Sequence, residues 1–349
     1  MKSNVMIKVK KEGIILKKSD LAFENDSVLN PGIFQDGNTI HMLYRAVRNG
    51  NYSTIGYCKL EGPITVIERN DIPLMIPYSE DASKGIEDPR IVKIDGVYYI
   101  TYTAYNGINA LGALVTSVDL KTFERKGVIV PKFTFDEFKI LAECNNLVNA
   151  KYFRHVRHFI PSEEVYLWDK DLVFFPRRIG GKLAFLHRIR PGIQLVMVAN
   201  LEELTKEYWN QYFLHFNEHI VMDPIGVNHE SSYIGAGAPP IETHLGWLLI
   251  YHGVYDIPEG YVYSAAAALL DIDNPTKVIA RLLEPLFVPE FKYELDGVVN
   301  NVVFPTGTAL FDDTLFIYYG AADKCIACAS LSLQELLNEL VQNKINYES

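Results

Sequence analysis

One carboxyl and a set of cations carry most of the chemistry that this chain can offer. The carboxyl is Asp88, in Gly85-Ile86-Glu87-Asp88-Pro89-Arg90. Burial among aromatic side chains would disfavour its charged form and raise its pKa, which suits a general acid. The cations are Arg45, Arg48, Arg188 and His252, all at strand ends, and Lys170 just ahead of another strand. A chain of formal net charge −10 that gathers cations in one place invites an anion. Phosphate fits, because Arg offers it a planar fork and Lys a point charge. Asp323, in Tyr319-Gly320-Ala321-Ala322-Asp323, has two oxygens to accept from sugar hydroxyls. The 21 Tyr, 18 Phe and 3 Trp are consistent with carbohydrate, although most of them must fill the core. Plainer roles also exist for each residue. Asp-Pro-Arg serves as a turn cap with a surface ion pair, Arg45 or Arg188 pairs with a buried carboxylate, and Asp323 closes a turn.

A repeat is what would bring these residues together. Five copies of one pattern run along the chain: a proline, a tight turn, then an aromatic-rich strand ending in a polar side chain. They are Asn30-Pro31 to Tyr44-Arg45, Asp88-Pro89 to Tyr102-Thr103, Phe175-Pro176 to His187-Arg188, Pro239-Pro240 to Tyr251-His252, and Phe304-Pro305 to Tyr318-Tyr319. The prolines are spaced by 58, 87, 64 and 65 residues. A strand-built period of roughly 60 residues predicts a radial array, here an all-β five-bladed propeller. Its blades would deliver equivalent strand ends to one central cavity. Aligned on the prolines, the strand ends are Arg45, Thr103, Arg188, His252 and Tyr319. The residues before the prolines are Asn30, Asp88, Phe175, Pro239 and Phe304, of which only Asp88 ionises.

The strands are predicted from β-branched and aromatic runs such as 97–102, 182–187, 247–252 and 315–319, each preceded by turn residues such as Asp95-Gly96 or Gly180-Gly181. Third strands fit 53–58, 111–116 and 263–267, and a fourth fits 127–130. Helical spacing is confined to short decorations at 201–208 and to a C-terminal helix at about 332–342 with a serine start. The third unit carries an insertion, about 133–169, that includes Arg154-His155-Val156-Arg157-His158. Decoration of a blade edge is its simplest role. One domain over 1–349 is expected.

Bulk composition narrows the partners. Net negative charge argues against nucleic acid. Cys325 and Cys328 look like half a zinc site but fall on a strand, where positions i and i+3 point to opposite faces, so buried free thiols are expected and no metal. Four cysteines, no apolar leader and no membrane-length apolar run predict a soluble cytoplasmic protein with no membrane partner. Walker-type, G-x-S-x-G and H-E-x-x-H patterns do not occur.

Several stretches resemble glycoside hydrolase family 130, the mannoside phosphorylases and related β-mannosidases. They are Asn30-Pro31-Gly32, Leu43-Tyr44-Arg45-Ala46, Glu87-Asp88-Pro89-Arg90, Lys170-Asp171 through Phe174-Phe175-Pro176, Gly235 to Pro240 through Tyr251-His252-Gly253-Val254, and Tyr318 to Asp323. The resemblance spans about 30 to 325 and implies a five-bladed propeller. It implies an inverting phosphorylase in which Asp88 supplies the proton, through a sugar hydroxyl, and inorganic phosphate attacks the anomeric carbon to give α-mannose 1-phosphate. Lys170, His252 and one of Arg45 or Arg48 would hold phosphate. Asn30, Arg188 and Asp323 would sit against phosphate or the sugar, with Arg90 and Tyr251 also on the sugar. No cofactor is implied beyond phosphate as co-substrate, and a small oligosaccharide is the partner, with a homo-oligomer open. Some members are hydrolases that activate water with carboxylates, and Glu230 or Glu143 would be the base in that case. A non-catalytic sugar-binding propeller is a third alternative.

Overall fold

The computed structural model describes residues 7–145, 147–154, 164–226 and 228–343. Strands dominate, with five short α-helices among the described residues. The first strand, β1 (Lys10–Leu16), pairs with the last, β21, whose range follows with its own unit.

Antiparallel sheets then follow one another, each of four strands except the fourth, which has five. The first has β2 (Ser27–Asp36), β3 (Thr39–Arg48), β4 (Tyr52–Glu61) and β5 (Thr65–Arg69). The second has β6 (Gly85–Ile94), β7 (Val97–Tyr105), β8 (Ala110–Ser117) and β9 (Phe123–Val128). A single parallel pairing, Ser53 with Gly85, joins these two. The third has β10 (Lys170–Phe174), β11 (Leu183–Arg188), β12 (Ile193–Val198) and β13 (Ile220–Met222). The fourth has β14 (Tyr233–Ala236), β15 (Ile241–Thr243), β16 (Gly246–Ile257), β17 (Gly260–Leu270) and β18 (Val278–Arg281). The last has β19 (Val303–Phe311), β20 (Thr314–Ala321) and β21 (Cys325–Ser332), with β1 as its outer strand. Residues from the two ends of the chain therefore complete one sheet.

Turn chemistry sets the hairpins as expected. Asp95 and Gly96 both have positive φ, as do Gly180 and Gly181, which matches the twist of the flanking strands. Alternation along each strand sends side chains to two faces, and apolar clusters fill the space between successive sheets. Cys325 and Cys328 show this directly. The first is buried in one cluster and the second in another, and both thiols are free.

Two boundaries differ from the sequence-based expectation. The helix expected at 201–208 runs instead over Lys206–Leu214, because Thr205 caps it by accepting from the Tyr208 amide. The strand expected at 127–130 is β9, which ends at Val128. The insertion contributes the helix Phe135–Ala142, and its Phe133, Phe138 and Tyr152 are buried with Phe213 and Phe216 of the later helical segment. The inserted segment thus packs on the third unit and its later helices, and its His155–His158 run lies outside the described residues. The C-terminal helix is Leu333–Gln342, with Ser332 as its cap.

Candidate active site

Three β-bulges aim the site. Register slips between Leu29 and Gly32, between Glu87 and Arg90, and between Lys170 and Val173. Each slip holds one Asx residue at positive φ: Asn30 at 50°, Asp88 at 53° and Asp171 at 54°. Asn and Asp tolerate this left-handed conformation better than other side-chain-bearing residues, and a bulge re-aims the side chain it carries. The third unit's counterpart of Asp88 is therefore Asp171. Alignment on Pro176 had put Phe175 there and missed it, because this unit has Leu172 where the others have proline.

The strands opposite these bulges supply Arg45 and Arg188, at positions that Thr103 and His252 fill in the second and fourth units. Arg45 pairs across from Leu29, Thr103 from Glu87, Arg188 from Lys170 and His252 from Gly235. Tyr319 does not belong to this series. It pairs with Pro305, lies buried in the core, and its hydroxyl donates to Glu294 at 2.6 Å.

A cavity of about 160 Å³ is lined by Asn30, Arg45, Asp88, Lys170, Arg188 and Asp323, together with Trp168, Asp171, Arg190, Tyr233, Tyr263 and Phe304. The structure thus brings together Asp88 and most of the cations named for it. Asn30 Nδ2 donates to Asp88 Oδ1 at 2.7 Å, and Arg45 Nη1 lies 3.6 Å from the same oxygen. Glu87 bridges Arg45 (2.8 Å) and Lys170 (3.4 Å). Arg188 Nε lies 3.1 Å from Asp171 Oδ2.

Electrostatics reverse one expectation. Burial does push the Asp88 carboxyl upward, but Arg45, Lys170 and Arg90, with the Asn30 amide, outweigh it and hold the pKa below the ordinary value. The raised carboxyl is Asp323. Burial pushes it up to about 6, and Asp88 and Glu87 add to the effect against Arg45. His252 also departs from its expected role as a cation. Burial takes its imidazole down to about 3 despite Asp171 at 3.6 Å, so it is neutral at pH 7. Its ring sits behind the cavity wall, 4.5 Å from the Phe304 ring by centroids. Gly235 makes room for this arrangement, since a Cβ there would strike Asp171 Oδ2 and the His252 ring.

Five further candidates lie elsewhere. Arg48 is exposed, stacks on Tyr52 at 4.3 Å, and lines a separate depression. Arg90 is buried and structural: its Nε donates to the Gly237 carbonyl and its Nη1 to the Asp88 carbonyl. Tyr251 faces away from the cavity, donating to Glu230 Oε1 at 2.5 Å and accepting from Arg281 Nε at 2.9 Å. Glu230 is buried and ion-paired with Arg281. Glu143 is exposed at the end of the inserted helix, 3.8 Å from Lys139. None of the two glutamates or Tyr251 lines the cavity, because their strand or turn positions point into or away from the sheets rather than toward the bulges.

Arg190 is the main residue that the sequence reading missed. It lies flat on the Tyr233 ring at 3.7 Å, its buried Nε has no hydrogen-bond partner, and no ion pair to it occurs among the described residues. The sequence offered only proximity: Arg190 is two residues past Arg188, in the turn that follows β11. Among the described residues no cluster of three or more His, Cys, Asp or Glu could hold a metal ion, and no helix is long and apolar enough to cross a membrane.

The family model described as β-1,4-mannooligosaccharide phosphorylase, of glycoside hydrolase family 130, matches residues 9–342. The chain belongs to glycoside hydrolase family 130. A 1,2-β-oligomannan phosphorylase of Thermoanaerobacter sp. (strain X514) is 34% identical over 344 residues, covering 95% of this chain and 99% of the relative. A β-1,2-mannobiose phosphorylase of the same organism is 32% identical, covering 90% and 93%. The solved β-1,2-mannobiose phosphorylase of Listeria innocua, in complex with β-1,2-mannobiose, superposes with a TM-score of 0.71 at 22% identity, over 96% of this chain and 99% of that one. At that identity the likeness speaks for the family 130 fold.

Proposed function

We propose that this family 130 enzyme is an inverting phosphorylase that cleaves β-mannosides with inorganic phosphate to give α-mannose 1-phosphate. One observation carries the choice of phosphate over water: the cavity that holds Asp88 also holds four cations, Arg45, Lys170, Arg188 and Arg190, against two further carboxylates, Asp171, which is paired with Arg188, and Asp323, while neither Glu230 nor Glu143 reaches it. Water would need a base carboxylate facing the anomeric carbon, whereas phosphate needs positive charge and room. The two relatives that match over at least nine-tenths of both chains are named for β-1,2-linked mannosides, and we take that linkage as the substrate.

In this reading Asp88 delivers its proton, through a sugar hydroxyl, to the departing glycosidic oxygen. A phosphate oxygen attacks the anomeric carbon from the opposite face, and the proton that phosphate gives up restores the acid. Unliganded Asp88 is held ionised by Arg45 and Lys170. A bound phosphate dianion competes for those cations and raises the Asp88 pKa, so co-substrate binding prepares the acid. Asn30 and Asp323 would hold the sugar, and Arg188 and Arg190 the phosphate. His252, neutral and behind the cavity wall, would support Asp171 rather than touch phosphate.

The same reading takes the five meanders as blades of one propeller, a single domain. Neighbouring units touch in support of closure. Thr101 Oγ1 donates to the Leu172 carbonyl, Arg177 pairs with Glu242, and Thr306 Oγ1 donates to the Pro31 carbonyl, linking last unit to first. Four free thiols fit a reducing compartment, and the cytoplasm is the one inferred. The test is phosphate dependence. Incubation with β-1,2-mannobiose should yield mannose 1-phosphate only when phosphate is present. Equal release of free mannose with and without phosphate would overturn the reading.

A further inference from the structure

Arg48 is a charged residue at a strand end that the cavity does not absorb, and its surroundings form a second cavity. This depression, about 620 Å³, is lined by Asn25, Arg48, Asn49, Asn51, Tyr52 and Lys84, among others. It has no lining residue in common with the active-site cavity but lies close to it along the chain. Arg45 and Arg48 lie three residues apart on β3, and Lys84 lies four residues before Asp88. Ser53, next to Tyr52, accepts from Arg45 Nε at 2.9 Å and pairs with Gly85, next to Lys84. Three residues of extended strand span ~10 Å, so the two cavities are neighbours at one end of the first two sheets.

The active-site cavity is small. At about 160 Å³ it falls below the roughly 300–1,000 Å³ of pockets that enclose a drug-sized ligand. It has room for about one sugar ring, so the rest of a longer substrate must lie outside it. The outer depression has the chemistry for those sugars. Asn25, Asn49 and Asn51 can donate to and accept from hydroxyls, and Lys84 donates. The Arg48–Tyr52 stack presents a flat, amphipathic platform at its edge.

We propose that this depression is a distal subsite that binds the far sugars of a β-mannan oligosaccharide and sets a preference for chains longer than the disaccharide. This rests on the functional reading above for the identity of the sugar. Arg48 and Tyr52 then determine chain-length specificity without touching the reacting atoms.

The test compares β-1,2-mannobiose and β-1,2-mannotetraose in phosphorolysis by the wild type, by Arg48→Ala/Tyr52→Ala and by Lys84→Ala. The double variant should lower the tetraose-to-biose ratio of kcat/KM roughly tenfold, the scale of one lost stacking contact with its hydrogen bonds. Lys84→Ala should lower the same ratio by a smaller factor. An unchanged ratio in both variants would overturn the subsite. Calorimetric titration of mannotetraose gives a readout that needs no turnover. If the wild type makes no mannose 1-phosphate from either sugar, the functional reading falls. The subsite then stands if tetraose binds and the double variant weakens it, and falls if the two proteins bind it alike.

Discussion

Asn30 and Asp88 are 58 residues apart in the chain, and the Asn30 side-chain amide donates to Asp88 Oδ1 at 2.7 Å. Each sits at positive φ in the bulge of its own sheet, so two independent backbone distortions set this one contact. The bond favours the charged form of the aspartate. Gly320 leaves space for it, since a Cβ there would collide with Asn30 Oδ1.

Removing the amide should therefore raise the Asp88 pKa. In Asn30→Ala the basic limb of the kcat/KM profile is expected to move to higher pH, together with a loss in rate. Asp88→Asn should lower the rate by at least about 10²-fold, the scale of a general acid. Steady-state pH profiles check both, and a limb that stays put in Asn30→Ala would detach the amide from the titration.

Arg190 lacks an ion-pair partner among the described residues, unlike Arg45 and Arg188. Its charge is thus available to an incoming anion without breaking an existing pair. Arg190→Ala should raise KM for phosphate about tenfold or more, on the scale of one charge-assisted hydrogen bond. Lys170→Ala should raise it as well. Initial rates against phosphate concentration decide the matter, and an unaltered phosphate KM would remove Arg190 from that role.

Asp323 links stability to pH. Its carboxyl is raised to about 6 in the fold against 3.8 for the free side chain. Between those values the folded protein binds more protons than the unfolded chain, so this group's contribution falls as pH rises from about 4 to 6. At pH 7 that is a penalty of up to ~3 kcal/mol, at 1.36 kcal/mol per pKa unit. Asp323→Asn is expected to raise Tm at pH 7.5, to change it little at pH 4, and to reduce activity. Thermal melts at the two pH values test this; a gain confined to acid pH would contradict it.

Glu230 is predicted to matter for folding and not for choosing between water and phosphate. It is buried, ion-paired with Arg281, and bonded by Tyr251. Glu230→Gln leaves the Arg281 charge underpaired in the interior, a change on the order of 3–5 kcal/mol when a buried pair is broken. Denaturant melts should show the loss, while the product remains mannose 1-phosphate. Full stability in this variant would show that the network is dispensable.

Much of this protein was legible from local chemistry. Strand runs, the Asp95-Gly96 and Gly180-Gly181 turns, the C-terminal helix and the opposite-facing Cys325 and Cys328 follow from periodicity and turn stereochemistry, which act over a few residues. The spacing of Arg45, Arg188 and His252 was also legible, because a repeated unit reuses one register. Asp171 was hidden, since its bulge has Leu172 in place of the marking proline. The helix starts at 206 because Thr205 makes the capping hydrogen bond, whereas Asn200 upstream makes none.

By itself the sequence determined the strand-built repeat, the family and the candidate acid, all of which are written in side-chain type and spacing. Only the tertiary structure decided which cations face that carboxyl and which other carboxyl is pushed upward. Arg48 and Arg190 read alike as isolated residues, yet one stacks on Tyr52 outside and the other lies on Tyr233 within. Asp88 and Asp323 are the same side chain, and their pKa values part in opposite directions. Burial and neighbouring charge act through space, over distances that no local stretch of sequence encodes.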